Sequence, residues 1–222
     1  MHGGHPEVHP EVVTLEKDIL KRNEELASQV HEMLERSGVR AFDIMGSVGS
    51  GKTTIIERLV EMLKAEGVRC GAITGDVAGD CDYQRLVRHG VPAKNINTGK
   101  QCHLDAHLIL HALEDFDLSG IDVLFIENVG NLVCPADFPL GTEKRVVVIS
   151  VTEGDDIVRK HPLIFQLADI VVLNKIDLAK FVGVEPQRVV EDYFKISPNG
   201  RIFLTNAKSG EGLVELKNAL LS

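Results

Sequence analysis

Apolar and polar positions along the chain alternate between two patterns. Nearly continuous apolar runs at residues 41–45, 68–74, 121–127, 145–151, 170–174 and 201–205 read as buried strands, with a shorter candidate at 93–98. Between them lie amphipathic stretches. In 54–66 the residues Ile55, Ile56, Leu59, Met62 and Leu63 recur at helical spacing. Residues 80–89 read as a loop and short helix, and 102–113 and 212–221 as helices. This alternation predicts an α/β fold: a mostly parallel sheet of about seven strands, covered by helices on both faces. In such sheets ligands sit at the carboxyl ends of the strands.

A long helix is predicted over 14–37, with Leu15, Ile19, Leu26, Val30, Met33 and Leu34 as its apolar stripe and Gly38 as its stop. It precedes the first strand, so it must pack outside the core or on a partner. Residues 1–13 are expected to be a disordered tail. Their His2, His5 and His9 could collect divalent metal or simply be polar. The expected division is a tail over 1–13, a helix over 14–38 packed on the domain, and a nucleotide-binding domain over 39–222.

Charge and composition narrow the partners. The net charge of −9 over 222 residues argues against a nucleic-acid surface. No apolar run has the length to span a bilayer, and the N-terminus lacks a signal-peptide core, which places the chain in the cytoplasm. Four cysteines make no disulfide framework in a chain this long and point to core filler, metal ligands or reactive thiols.

The most specific motif is Gly46-Ser47-Val48-Gly49-Ser50-Gly51-Lys52-Thr53, which fits G-x-x-x-x-G-K-[ST] between a strand and a helix. Free backbone N–H groups at the start of that helix make an anion site, extended by Thr54. Glycine lets the backbone approach phosphate oxygens closely. Lys52 would neutralise the β- and γ-phosphates and Thr53 would bind Mg²⁺.

Asn174-Lys175-Ile176-Asp177 follows an apolar strand. The Asp177 carboxylate can accept from guanine N1–H and N2–H₂, a pair adenine lacks, and an unpaired buried carboxylate is costly. Lys175 can lay its stem over the base, and Asn174 can tie this loop to the phosphate loop. Asn206-Ala207-Lys208 resembles a third guanine element, with the Ala207 N–H facing the base oxygen. On the γ-phosphate side, Asp76 after the second strand is the leading Mg²⁺ contact, and Asp80 and Asp82 are secondary ones. Glu127 stands three residues before Gly130, a spacing that resembles the D-x-x-G switch with Glu for Asp.

A second constellation is soft. Cys102-His103 opens the predicted fourth-residue series His103, His107, His111, and a thiol at a helix N-terminus favours thiolate. Cys134 follows the Glu127 switch closely. Two thiolates and one imidazole suit Zn²⁺ or Ni²⁺ and supply three of the usual four ligands, leaving one for water or a second copy of the chain. Buried apolar roles for Cys102 and Cys134 are equally open from residue type. Cys70 reads as core, Cys81 as incidental, and His111 as helix surface.

The stretches Gly99-Lys100-Gln101-Cys102-His103-Leu104-Asp105-Ala106-His107 and Ile126-Glu127-Asn128-Val129-Gly130-Asn131-Leu132-Val133-Cys134-Pro135, with the motifs above and Gly210-Glu211-Gly212, resemble the HypB family from about residue 14 to the end. The resemblance implies a SIMIBI-class P-loop GTPase that dimerises around nucleotide and serves nickel insertion into [NiFe]-hydrogenase. It implies GTP or GDP, Mg²⁺, and Ni²⁺ or Zn²⁺ as ligands. It implies a metal site on Cys102, His103 and Cys134 at the dimer interface, with His107 sometimes joining, and Lys160 reaching nucleotide in the partner subunit. A hydrogenase precursor and another nickel-insertion accessory protein would be partners, and intrinsic turnover would be slow. The chain lacks the N-terminal Cys-x-x-Cys-Gly-Cys motif of some members. Two other readings are a metal store or sensor in which GTP only sets oligomeric state, and the related urease accessory GTPase. The separate Cys134 argues against the latter, whose ligand motif is Cys-Pro-His.

Overall fold

The computed structural model describes residues 10–222, with side chains from residue 17 onward. The tail expected over 1–13, including His2, His5 and His9, falls outside the described residues up to residue 9.

In chain order the elements are α1 (Pro10–Arg36), β1 (Arg40–Gly46), α2 (Lys52–Ala65), β2 (Cys70–Asp76), α3 (Cys81–Arg88), β3 (Ala93–Asn97), α4 (Ala106–Glu114), β4 (Val123–Glu127), β5 (Lys144–Ser150), α5 (Ile157–Lys160), α6 (Pro162–Gln166), β6 (Ile170–Asn174), α7 (Ala179–Val182), α8 (Pro186–Ile196), β7 (Ile202–Leu204) and α9 (Leu213–Leu221). Short 3₁₀ turns at Cys134–Asp137, Val151–Glu153 and Ile176–Leu178 join them. The seven strands form one sheet in the order β3-β2-β4-β1-β5-β6-β7, and every pairing is parallel. The central strands β2, β4, β1, β5 and β6 are largely buried on both faces, as parallel strands under helical cover must be, whereas the edge strands β3 and β7 are partly exposed. One face packs Phe42, Ile44, Phe125 and Val148 against Ile55, Ile56 and Leu59 of α2 and Leu216 of α9.

α1 begins at Pro10, earlier than Thr14, and ends at Arg36 because Gly38 turns left-handed (φ 67°) and the Val39 N–H closes back onto the Leu34 carbonyl. Its stripe buries Leu26, Ala27, Val30 and Leu34 against α4 and the sheet, whereas Ile19 stays about half exposed. Buried Asn23 fastens the helix. Its Nδ2 donates to the Pro139 carbonyl and its Oδ1 accepts from the Ala106 N–H, both at 2.9 Å.

Two local expectations are corrected. The helix predicted from residue 102 starts at Ala106, because Asp105 is the better N-cap: its carboxylate accepts from the Leu108 N–H at 2.8 Å. Cys102 and His103 therefore lie in the preceding loop. The helix α8, with Val189 and Tyr193 buried, was not anticipated between β6 and β7.

Candidate functional site

The phosphate loop, β2, β4 and the segment after β6 meet at the carboxyl end of the sheet and enclose a cleft of about 550 Å³. Gly51 adopts φ 105° as the N-cap of α2, so the loop N–H groups point outward at the start of that helix. Lys52 is buried. Its Nζ donates to the carbonyls of Gly46 and Ser47, at 3.1 Å each, and burial lowers its pKa against the pull of Glu127, Asp82 and Glu153.

Thr53 Oγ1 lies 2.8 Å from both Asp82 Oδ1 and Glu127 Oε1. A hydroxyl has one proton, so it satisfies only one of two carboxylates. Glu127 Oε2 is buried without a partner among the described residues, and burial raises the Glu127 carboxyl to about 7. Three hard oxygens with an unsatisfied fourth beside them fit Mg²⁺. Asp82 thus joins Thr53 directly. Asp76, the leading expectation, lines the same cleft beside Gly75 and Val77. Gly130 abuts Val48, where a Cβ would strike the Val48 side chain.

Asn174 ties the segments together. Its Nδ2 donates to the Ser50 carbonyl (2.9 Å), and its Oδ1 accepts from Thr205 Oγ1 and the Ala207 N–H (3.1 Å each). Lys175 adopts φ 60° and its Nζ donates to the Gly49 carbonyl at 2.5 Å. Asp177 is exposed. The Ala207 N–H is held by Asn174 instead of pointing free, and exposed Lys208 has its N–H held by Asn206. Lys160 lies on α5, exposed and paired with Asp156 at 2.7 Å.

The soft constellation assembles through two loops. Cys102, His103 and Cys134 place one ligand atom each within 4.8 Å of one another. The two Sγ atoms are 2.8 Å apart, and Cys102 Sγ is 3.8 Å from His103 Nδ1. Cys134 has its thiol pKa raised, first by hydrogen bonding to Cys102 and then by burial. Two thiolates this close repel each other, and a divalent cation removes that penalty. The His103 ring stacks on Phe138 with centroids 4.1 Å apart, and burial lowers its pKa, favouring the neutral ligand form. His107, on α4, is exposed and outside this group. His111 pairs with Glu114 on the surface. Cys70 is buried, its thiol pushed up to about 11, whereas Cys81 is exposed.

The two sites share one segment. The Asn131 N–H donates to the Gly46 carbonyl, and Asn131 Oδ1 accepts from the N–H groups of Val133 (2.7 Å) and Cys134 (3.4 Å).

Sequence reasoning missed several residues around the cleft. Glu153 accepts from Ser47 Oγ and, at 2.7 Å, from the Ser150 N–H, completing a capping box. Its S-x-x-E spacing directly after a strand was the available signal. Arg85 donates to Thr54 Oγ1 (2.9 Å) and pairs with Glu57. Arg58 donates to the carbonyls of Ala207 and Lys208.

Known proteins resemble this chain over most of its length. Residues 40–203 match the model of the CobW/HypB/UreG nucleotide-binding domain. The chain is 52% identical over 201 residues to a probable hydrogenase maturation factor HypB of Methanocaldococcus jannaschii, covering 90% of each chain. The crystal structure of HypB from Archaeoglobus fulgidus superposes with a TM-score of 0.84 at 48% identity, covering 90% of this chain and 98% of that one. HypB from Helicobacter pylori, solved in complex with nickel, gives a TM-score of 0.84 at 37% identity over 90% of this chain and 94% of that one. The phosphate loop, the Cys102–His103–Cys134 cluster and the segment that joins them therefore stand in a chain that belongs to the HypB hydrogenase maturation factors, within the CobW/HypB/UreG nucleotide-binding family.

Proposed function

We propose that this protein is a Mg²⁺-dependent GTPase that holds and releases Ni²⁺ during [NiFe]-hydrogenase maturation, working in the cytoplasm as a homodimer. The observation that carries this reading is the shared segment: Asn131 touches the phosphate loop through its backbone and the Cys134 backbone through its side chain. A change in phosphate occupancy then has a short mechanical path to a metal ligand.

In this reading the N–H groups from Ser47 to Thr54 and Lys52 hold the phosphates. Thr53, Asp82 and Glu127 would hold Mg²⁺, with Asp76 facing the same ion directly or through water. Mg²⁺ neutralises charge on the transferred phosphoryl group. Gly130 reads the γ-phosphate through its N–H. Asp177 selects guanine, with Lys175, Ala207 and Lys208 framing the base. Intrinsic hydrolysis is slow in this reading and is raised by dimerisation or a partner protein. Cys102, His103 and Cys134 hold Ni²⁺ as cargo, and Zn²⁺ suits the same donors. The remaining coordination comes from a second copy of the chain, with His107 joining at times and Lys160 reaching the partner's nucleotide. A hydrogenase precursor and a nickel-insertion accessory protein receive or supply the metal.

The test is Ni²⁺ titration of the full chain with GDP and with a non-hydrolysable GTP analogue, alongside light scattering. Metal affinity and dimer fraction should differ between the two nucleotides, and Cys102→Ala or Cys134→Ala should remove tight Ni²⁺ binding while GTP hydrolysis survives. Ni²⁺ affinity independent of nucleotide would leave a metal store, and Asp177→Asn with unaltered guanine preference would refute the base assignment.

A further inference from the structure

Asp43 sits in the middle of β1, fully buried between the apolar residues Ala41, Phe42, Ile44 and Met45. Its Oδ1 accepts from Asn128 Nδ2 at 3.2 Å. Asn128 Oδ1 in turn accepts from the N–H of Leu104 at 2.9 Å, the residue after His103, and from the N–H of Val129 at 3.0 Å. Across the sheet, Asp43 is the register partner of Arg145 in β5, so their side chains stand on one face. Arg145 Nη2 donates to the carbonyls of Pro135 (2.6 Å) and Ala136 (2.9 Å), the two residues after Cys134. Asp43 Oδ2 and Arg145 Nε are both buried, with no hydrogen-bonding partner among the described residues.

These two groups make no direct bond, but Arg145 is near enough for its charge to favour the Asp43 carboxylate. Opposite charges in a core add little net stability over apolar groups of the same volume, so packing alone does not account for them. What they touch does. One arm ends on the loop of Cys102 and His103, the other on the loop of Cys134. We infer that Asp43 is a positioning residue for the metal cluster, holding one ligand loop through its hydrogen bond from Asn128 and steadying the other through its charge opposite Arg145, from the strand that feeds the phosphate loop. This rests on the metal reading of the cluster proposed above. Residues that orient metal ligands without touching the metal typically govern affinity by about 10- to 100-fold.

The test uses the full chain with Asp43→Asn, which keeps the shape and the bond to Asn128 but not the charge, Arg145→Met, Arg145→Lys, and the double variant Asp43→Asn/Arg145→Met. The readouts are Ni²⁺ affinity, the thiolate-to-nickel charge-transfer band, GDP affinity, and the rate at which diamide oxidises Cys102 and Cys134 to a disulfide without metal. Asp43→Asn and Arg145→Met should each weaken Ni²⁺ by about 10-fold or more, shift the band and slow disulfide formation, while GDP affinity stays within about twofold, a change worth less than 1 kcal/mol. The double variant should be no worse than the worse single, and Arg145→Lys should recover part of the loss. Wild-type Ni²⁺ affinity, band and disulfide rate in folded variants would overturn the inference. So would parallel loss of Ni²⁺ and GDP affinity, which marks general loosening. Wild-type Ni²⁺ binding by Cys134→Ala would instead remove the metal reading, and the metal-free disulfide rate would then decide the role of Asp43 by itself.

Discussion

The Asn131 backbone N–H donates to the Gly46 carbonyl at 3.1 Å, the same oxygen that receives Lys52 Nζ at 3.1 Å. In the function proposed above, a nucleotide phosphate would compete for Lys52, leave that carbonyl to Asn131 alone and strengthen the bond between the phosphate loop and the metal loop.

The Asn131 side chain is the second half of this link, so Asn131→Ala should weaken the coupling between the sites at a modest cost to the metal site. Loss of the acceptor for the Val133 and Cys134 N–H groups costs roughly 1 kcal/mol, or about fivefold in Ni²⁺ affinity. The difference in Ni²⁺ affinity between the GDP and GTP-analogue states should shrink as well. Calorimetric titration in both nucleotide states measures both. A nucleotide effect of wild-type size would place the coupling elsewhere.

Glu127 makes the nucleotide-free protein less stable as pH rises. Burial raises its carboxyl from 4.5 to about 7. Between these values the folded state holds a proton that the unfolded state has released. The stability this proton confers is full below 4.5 and is lost as pH climbs through about 7. Glu127→Gln removes the titration. The stability difference between wild type and Glu127→Gln should therefore change by up to about 3 kcal/mol between roughly pH 5 and pH 8, with wild type losing more. Asp43, raised to about 6 by burial, tilts both proteins alike and cancels. Urea melts across that range read the difference directly, and parallel curves would contradict it.

Much of this was legible before any coordinates. The glycine spacing around Lys52 and the Asn174-Lys175-Ile176-Asp177 run are local patterns with local consequences, and Asn174 does reach Ser50 across 124 positions. The strands were legible because parallel strands buried on both faces must be continuously apolar. What misled was periodicity. The fourth-residue series His103, His107, His111 suggested one helix, but Asp105 caps α4 after His103, so only His107 and His111 share a helix face and His103 lies in the loop before it. Asp43 and Arg145 were invisible for a different reason. A single charge in or beside a strand has meaning only through what lies opposite, and register is a tertiary fact.

Gly51 and Gly49 both have positive φ, but only one is crowded. A Cβ at Gly51 would press into Asn174 Nδ2, whereas one at Gly49 meets nothing within 4 Å. Gly49→Ala should cost only the backbone strain of φ 77°, about 1 kcal/mol. Gly51→Ala adds displacement of Asn174, and should cost about 2–4 kcal/mol with GDP affinity lowered at least tenfold. Thermal melts and fluorescent-GDP binding on the pair separate strain from collision. Equal losses would mean that Asn174 yields freely.

Asn174 itself should be intolerant of the smallest change. Its amide nitrogen serves Ser50 and its oxygen serves Thr205 and Ala207, all in a buried setting. Asn174→Asp keeps the acceptor and the shape but has no N–H to give. It leaves the Ser50 carbonyl facing a carboxylate, where the unfavourable contact and the desolvated charge together cost about 3 kcal/mol or more. Asn174→Ala removes both repulsion and bonds, leaving the Ala207 N–H and the Ser50 carbonyl unpaired for about 2–3 kcal/mol. Both variants should bind GDP at least tenfold more weakly, and Asn174→Asp should recover in part at low pH, where its carboxyl becomes a donor toward Ser50. Measuring GDP affinity at about pH 5 and about pH 8 tests this. An Asn174→Asp variant that binds GDP equally at both, and as tightly as wild type, would show that the tie to Ser50 is dispensable to the phosphate loop.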